Sequence, residues 1–127
     1  MKTLQLIAAA LTALVLSGCE LLDAPAPSRG LITTRFQDVQ PGVAPPRRDS
    51  FGPGETPCLY VQGYGGQTVT AKIYDLSSGR EVKRVTEYIP EGKDYHWWFS
   101  DLPSGSYRAD LEIGGSVTHS SLFRVSR

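Results

Sequence analysis

Leu102-Pro103-Ser104-Gly105-Ser106-Tyr107 runs directly into Arg108-Ala109-Asp110-Leu111-Glu112-Ile113. The first stretch reads as a turn. Pro103 cannot donate to a ladder and Gly105 frees the backbone, so no regular element passes through them. The second reads as a strand with two faces. Tyr107, Ala109, Leu111 and Ile113 line one face, and Arg108, Asp110 and Glu112 the other. Strict alternation of this kind marks a strand with one buried face.

The same signals recur on both sides. Strands are expected at Leu31 to Val39, Cys58 to Gln62, Thr68 to Tyr74, Glu81 to Ile89, Tyr95 to Phe99, Tyr107 to Ile113 and Ser121 to Val125. Between the later ones lie Gly63-Tyr64-Gly65-Gly66, Ser77-Ser78-Gly79, Pro90-Glu91-Gly92-Lys93 and Gly114-Gly115. Val69, Ala71 and Ile73 should point inward, as should Leu59, Val61, Phe123 and Val125. Cys58, Tyr60 and Gln62 should point outward. Val82 and Val85 break phase, so a bulge is expected in that strand. No window after Cys19 has a helical period. The fold class is therefore all-β, an antiparallel β-sandwich of about seven short strands.

The Leu-Pro turn followed by Gly-x-Tyr resembles the tyrosine corner of immunoglobulin-like and fibronectin type III domains, and of transthyretin-like bacterial modules. The resemblance implies that the Tyr107 hydroxyl bonds to backbone upstream. The immunoglobulin Cys-Trp-Cys set is absent, which excludes an antibody-type domain.

Gln40 to Pro57 carries Pro41, Pro45, Pro46, Pro53 and Pro57. Proline removes ladder donors, so this is a long loop or a segment hugging a sheet edge. A structureless connection this long is uncommon inside a compact domain. Alternatively, Leu31 to Val39 belongs to a tether and the domain starts near Phe51.

The N-terminus supplies an address. Lys2 is followed by an apolar run from Leu4 to Leu16, broken only by Gln5 and Thr12. That is a secretory signal pattern, too short for a membrane span of about 20 residues. Leu16-Ser17-Gly18-Cys19 resembles a bacterial lipobox. The resemblance implies cleavage before Cys19, lipidation of its sulphur and acylation of the new amine. Glu20 rather than Asp at the next position points to the outer membrane, with the domain facing the periplasm. Residues 1–18 are thus a cleaved signal peptide and 19–30 a lipidated flexible tether. Residues 31–127 are the β-sandwich domain with its Pro-rich segment 40–57. Alternating Ala and Pro at 24–27 favour an extended spacer, reaching up to ~30 Å at ~3.1 Å per residue.

The mature chain would keep 109 residues (127 minus 18), one domain by length. Without Lys2 it carries 12 basic and 13 acidic side chains. No basic run suggests a nucleic-acid footprint, so nucleic acid is not an expected partner. With Cys19 lipidated, Cys58 has no partner in the chain. It is either a shielded small residue or the site of an intermolecular disulfide.

No catalytic constellation stands out, and neither enzyme activity, a cofactor nor a metal is expected. His96 and His119 lie apart, with no cluster at ligand spacing. Ser120, His119 and Asp94 could be assembled into a triad on paper, but no nucleophile elbow supports one. Gly63 to Gly66 joins two strands and reads as a turn rather than a phosphate cradle.

Tyr95-His96-Trp97-Trp98-Phe99 is the run that bears on function. Alternation sends Tyr95, Trp97 and Phe99 inward and His96 with Trp98 outward. In fibronectin-like order the strand at 58–62 is a neighbour, so Tyr60, His96 and Trp98 would share one outer surface. That surface is either covered by the Pro-rich segment, with Phe51 on Trp98, or a docking site for an envelope protein. Its third reading is a glycan site with a sugar stacked on Trp98 or Tyr60. The chain thus reads as a lipoprotein held in the membrane through Cys19. Its sandwich would be a non-catalytic interaction or scaffolding module, or alternatively a carbohydrate- or peptidoglycan-binding one. The last strand, ending at Arg127, is the expected free edge for a partner strand.

Overall fold

A computed structural model describes residues 29–127. The lipobox, Cys19 and the tether up to Ser28 lie outside the described residues. The elements in chain order are β1 (Gly30–Arg35), a 3-10 turn (Phe36–Asp38), β2 (Ser50–Phe51), β3 (Pro57–Gln62), β4 (Gln67–Asp75), β5 (Arg80–Ile89), β6 (Tyr95–Trp98), β7 (Gly105–Ile113) and β8 (Ser116–Val125). They form two sheets, β1-β3-β6 and β2-β8-β7-β4-β5. All pairings are antiparallel except the short parallel contact of β2 with β8. The fold is the all-β sandwich that the alternation predicts.

The core is built from the inward faces. Leu31, Leu59, Val61 and Phe99 meet Val69, Ile73, Ala109, Leu111, Phe123 and Val125, all buried. The Tyr107 hydroxyl donates to the Pro103 carbonyl at 2.6 Å, so the corner is formed. The Tyr107 ring stacks on Phe123 with centroids 5.4 Å apart. One residue thus fixes a turn and fills the core.

Two register shifts shape the larger sheet. Ile73 faces Lys83 but Tyr74 faces Glu81, leaving Val82 as the extra residue of a bulge within the expected strand. Leu111 faces His119 and Glu112 faces Val117, so Thr118 is extra in β8. Its hydroxyl donates to the Leu111 carbonyl, satisfying a group the bulge displaces.

Several expectations need correction. The first strand ends at Arg35 rather than Val39, because Arg35 reaches forward to Asp38 at 2.8 Å and closes the 3-10 turn. It belongs to the domain, since Leu31 is buried and all six residues pair with β3. The last strand begins at Ser116, five residues earlier than expected. Gly114 and Gly115 sit at φ 62° and 83° and make a two-residue hairpin that only glycine forms cheaply. Its C-terminal end is not a free edge: Arg124 and Ser126 donate to the Asp49 and Phe51 carbonyls at 2.8 Å. The Pro-rich segment is therefore the edge-hugging alternative. Finally, Asp110 faces outward yet is buried, held by Arg108 and Ser120.

Tyr107→Phe should lower the unfolding free energy by about 1–3 kcal/mol, because the Pro103 carbonyl loses its donor in a partly buried site. Leu122→Ala, at a residue 61% exposed, should change it by no more than about 0.5 kcal/mol. Urea denaturation followed by tryptophan fluorescence measures both.

Candidate functional site

β3 and β6 are neighbours, with Tyr60 opposite His96 and Cys58 opposite Trp98. Even-numbered residues of both strands therefore project from the outer face of the smaller sheet. The structure brings together all three residues that the sequence singles out. Tyr60 stacks on His96 at 6.2 Å with a 14° interplanar angle, and His96 lies 5.9 Å from Trp98. The three are unequally available. Trp98 is 53% exposed, His96 is half-buried and Tyr60 is buried.

Tyr60 is closed off by its own contacts. Its hydroxyl donates to Asp94 at 3.1 Å, and the other Asp94 oxygen accepts from the Gly63 amide. Burial, and then the Asp94 carboxylate, push the Tyr60 phenol above its ordinary range. A buried ring offers no face to a sugar, so the stacking role expected for Tyr60 falls away and only Trp98 could supply it.

Phe51 does not cover Trp98. It is buried in the core, edge-on to Phe123 at 6.0 Å. The residue that packs on Trp98 is Phe36, with centroids 4.6 Å apart. Phe36 also lies 6.2 Å from His96. It leads the 3-10 turn and is itself 36% exposed. The sequence carries a signal for it that the aromatic run at 95–99 overshadows. Alternation along Leu31 to Phe36 sends Ile32, Thr34 and Phe36 outward, onto the surface that carries Trp98.

The turn bearing Phe36 is clamped by charge. Arg35 holds Asp38 and reaches Glu55 at 3.0 Å, while Arg48 reaches the same Glu55 oxygen at 3.1 Å. The Gly52 amide, then Arg48, hold the Glu55 carboxyl below its ordinary value, and Arg35 does the same for Asp38. Phe36 also anchors through its amide, which donates to the Thr56 carbonyl at 2.8 Å. The aromatic strip Phe36, Trp98, His96 thus sits on a fixed backbone.

Beneath the strip, Cys58 and Thr34 are both buried, although their side chains point outward. Thr34 donates to the Pro46 carbonyl at 2.7 Å, and Pro45 is buried as well. The Pro-rich segment therefore covers the β1 side of this face and leaves the Trp98 side open. Cys58 is the shielded thiol of the first alternative, and burial pushes it up to about 12.

The residues of the paper triad are engaged separately. Ser120 donates to Asp110, His119 bonds the Tyr64 hydroxyl at 2.7 Å, and Asp94 serves Tyr60 and Gly63. The Gly63 to Gly66 turn is used for packing. A Cβ on Gly65 would lie 2.8 Å from the Gly92 amide nitrogen, so glycine is needed where two turns touch. Among the described residues, no group of three or more His, Cys, Asp or Glu is gathered as a metal site would require.

No family model and no curated protein matches the chain. Among solved structures, it matches the CARDB domain of a Pyrococcus furiosus protein, determined in complex with di-metal ions. The TM-score is 0.39 at 14% identity, over 79% of this chain and 94% of that one.

Cys58 has a pH signature. Its thiol stays neutral in the fold up to about 12, whereas in the unfolded chain it ionises near 9.0. Below 9 the two states bind the proton equally. Above 9 the unfolded state releases it first, so stability should fall steadily with further rise in pH. Cys58→Ala should flatten that decline in denaturation curves taken from pH 8 to 11. Native protein should resist iodoacetamide at Cys58 at pH 8 and react once unfolded.

Proposed function

We propose that the chain is a lipid-anchored, non-catalytic interaction module of a bacterial envelope, docking a protein partner on the Phe36–Trp98–His96 face. The observation that carries this is Trp98 itself. It is a large ring, 53% exposed, braced by Phe36 on a charge-clamped turn. Tryptophan dominates interface energetics because one rigid ring buries much apolar area at little entropic cost. The charged network and the buried Thr34 and Cys58 make the platform rigid, so little ordering has to be offset on binding.

The strand directions support the same reading. β1 leads from Gly30, where the tether would enter, to Arg35 beside Phe36. Six residues of strand span about 20 Å. The turns at 63–66, 90–93 and 114–115 share the Gly30 pole. Phe36 and Trp98 lie toward the opposite pole, so a lipid at Cys19 would leave them facing away from the bilayer. Two or three acyl chains, at about 0.8 kcal/mol per buried CH2, would hold the chain there. The glycan alternative keeps one supporting observation, the free face of Trp98.

Trp98→Ala should cost under about 1 kcal/mol of stability, since half the ring is in water. It should nonetheless abolish a specific envelope crosslink formed by the wild type. An unchanged crosslinking pattern in a folded Trp98→Ala protein would sink the docking face. Binding to purified peptidoglycan that disappears in the same variant would establish the glycan reading instead. Cys19→Ala should move the protein from the membrane fraction to the soluble fraction after cell fractionation. Persistence in the membrane fraction would argue against the lipid anchor.

A further inference from the structure

We infer that the partner engages this module as an extended strand added to the free edge of β6, alongside His96 and Trp98. The inference rests on the docking reading above and names the chemistry of what docks. Among the described residues β1 and β6 border one sheet and β2 and β5 the other, with β8 open beyond the two residues of β2, and all of these but β6 are occupied, flanked or guarded. The β1 edge is covered: the Arg48 amide donates to the Thr33 carbonyl at 2.7 Å, and the Arg47 guanidinium to the Leu31 carbonyl at 3.2 Å. The β8 edge pairs with β2 at its C-terminal end, and Ser121 is held by Thr33 and Arg47. The β5 edge is interrupted by the Val82 bulge, and its Lys83 and Glu87 point to the inner side. Lys83 is tied to Asp101 at 2.7 Å. A bulge and inward charges are what keep edge strands from pairing.

β6 has none of these devices beyond its shortness. Among the described residues its one strand neighbour is β3. The Phe99 amide donates to Pro57 at 3.0 Å, so the main-chain groups of Tyr95, Trp97 and Phe99 turn toward β3. By alternation, the N–H and C=O of His96 and Trp98 turn to the open side. The two β6 residues whose main chain finds no partner among the described residues are thus the two with outward aromatic side chains. An incoming strand would make up to four main-chain bonds and set its own outward side chains beside the Trp98 and His96 rings. A sugar cannot reproduce that ladder.

A second copy is a poor occupant for a lipid-anchored chain. Two copies joined by a two-fold axis through β6 would pair antiparallel, which places their Gly30 ends at opposite poles. The ten-residue strands make the domain about 33 Å long. Residues 19–29 would reach about 34 Å at full polyproline extension, no more than the length of the domain, so one tether would have to be drawn fully taut to meet the bilayer. The occupant that fits is an extended segment of another protein, carrying apolar side chains at alternate positions.

The test uses the full chain in detergent, amide exchange followed by NMR, and a displayed library of random twelve-residue peptides as probe. Exchange at His96 and Trp98 should be fast in the chain alone and slow once an enriched peptide binds. His96→Pro removes the free-edge N–H without touching the β3 ladder, and proline is tolerated on such edges. It should weaken the enriched peptides by at least about tenfold, and by more than His96→Ala, which loses the ring but keeps the N–H. The exchange readout on unmodified protein decides the matter even if the proline variant unfolds. Peptides that bind His96→Pro as tightly as wild type, with protection elsewhere, would overturn the edge. If those peptides still needed Trp98, the docking face would survive alone. Protection of both amides before any peptide is added would overturn the proposal: a second copy holds the edge if protection fades on dilution, residues 1–28 if it does not. No enriched peptide, with peptidoglycan fragments quenching Trp98 fluorescence, would overturn both readings.

Discussion

The segment from Val39 to Thr56 has to satisfy main-chain groups on two different sheets at once, and the rest of the sandwich depends on its doing so. It donates from Arg48 to β1 of the smaller sheet, and accepts from Arg124 and Ser126 of the larger one. It also seats Phe51 between the sheets against Phe123. Without the strand that this segment itself supplies, a four-stranded sheet faces a three-stranded one, and one flank of the sandwich would expose strand edges and core. Proline suits this task. A residue without an N–H has one fewer group to satisfy, and its fixed φ lowers the entropy lost on ordering a long loop.

The ionic cluster at the distal pole is the fastening of that strap. Glu55 accepts from Arg35, Arg48 and the Gly52 amide together, joining the end of β1, the middle of the strap and the turn before β3. The C-terminus is drawn into the same corner, where the Arg127 guanidinium donates to the Leu102 and Glu55 carbonyls. Phe36 inherits its position from this corner. The aromatic face is therefore a product of charges and turns lying outside the sheet that displays it.

Much of this was legible in the chain. Alternation at Tyr107 to Ile113 and at Val69 to Ile73 announces the buried faces, and the Leu-Pro-x-Gly-x-Tyr stretch announces the corner. The same alternation places Tyr60, His96 and Trp98 on one surface. What it cannot give is cover. Period-two patterning says which way a side chain points, and it is silent on whether a loop or a neighbouring ring lies over it. Cys58, Tyr60 and Asp110 all point outward and are all buried, under contacts that come from other parts of the chain. Phe51 lies in the core rather than over Trp98, and a strap of prolines has no period that would decide between the two. Phe36 reads as one more strand residue in the sequence, because nothing in the pattern shows that Arg35 and Asp38 turn the chain beneath it.

The pairing of Ser50 and Phe51 with Arg124 and Val125 also orders events in time. Thr33 likewise finds Ser121, 88 residues further on. Contacts so distant in sequence carry the largest loop-closure entropy and form slowly. A chain that emerges N-terminus first, whether from a ribosome or through a membrane channel, delivers β1 and the strap long before the strand they close upon. Hairpins β4-β5 and β7-β8 can form as they appear, but the flank stays open until the final ten residues are free. The native fold is thus withheld by its own topology until the last strand has been delivered.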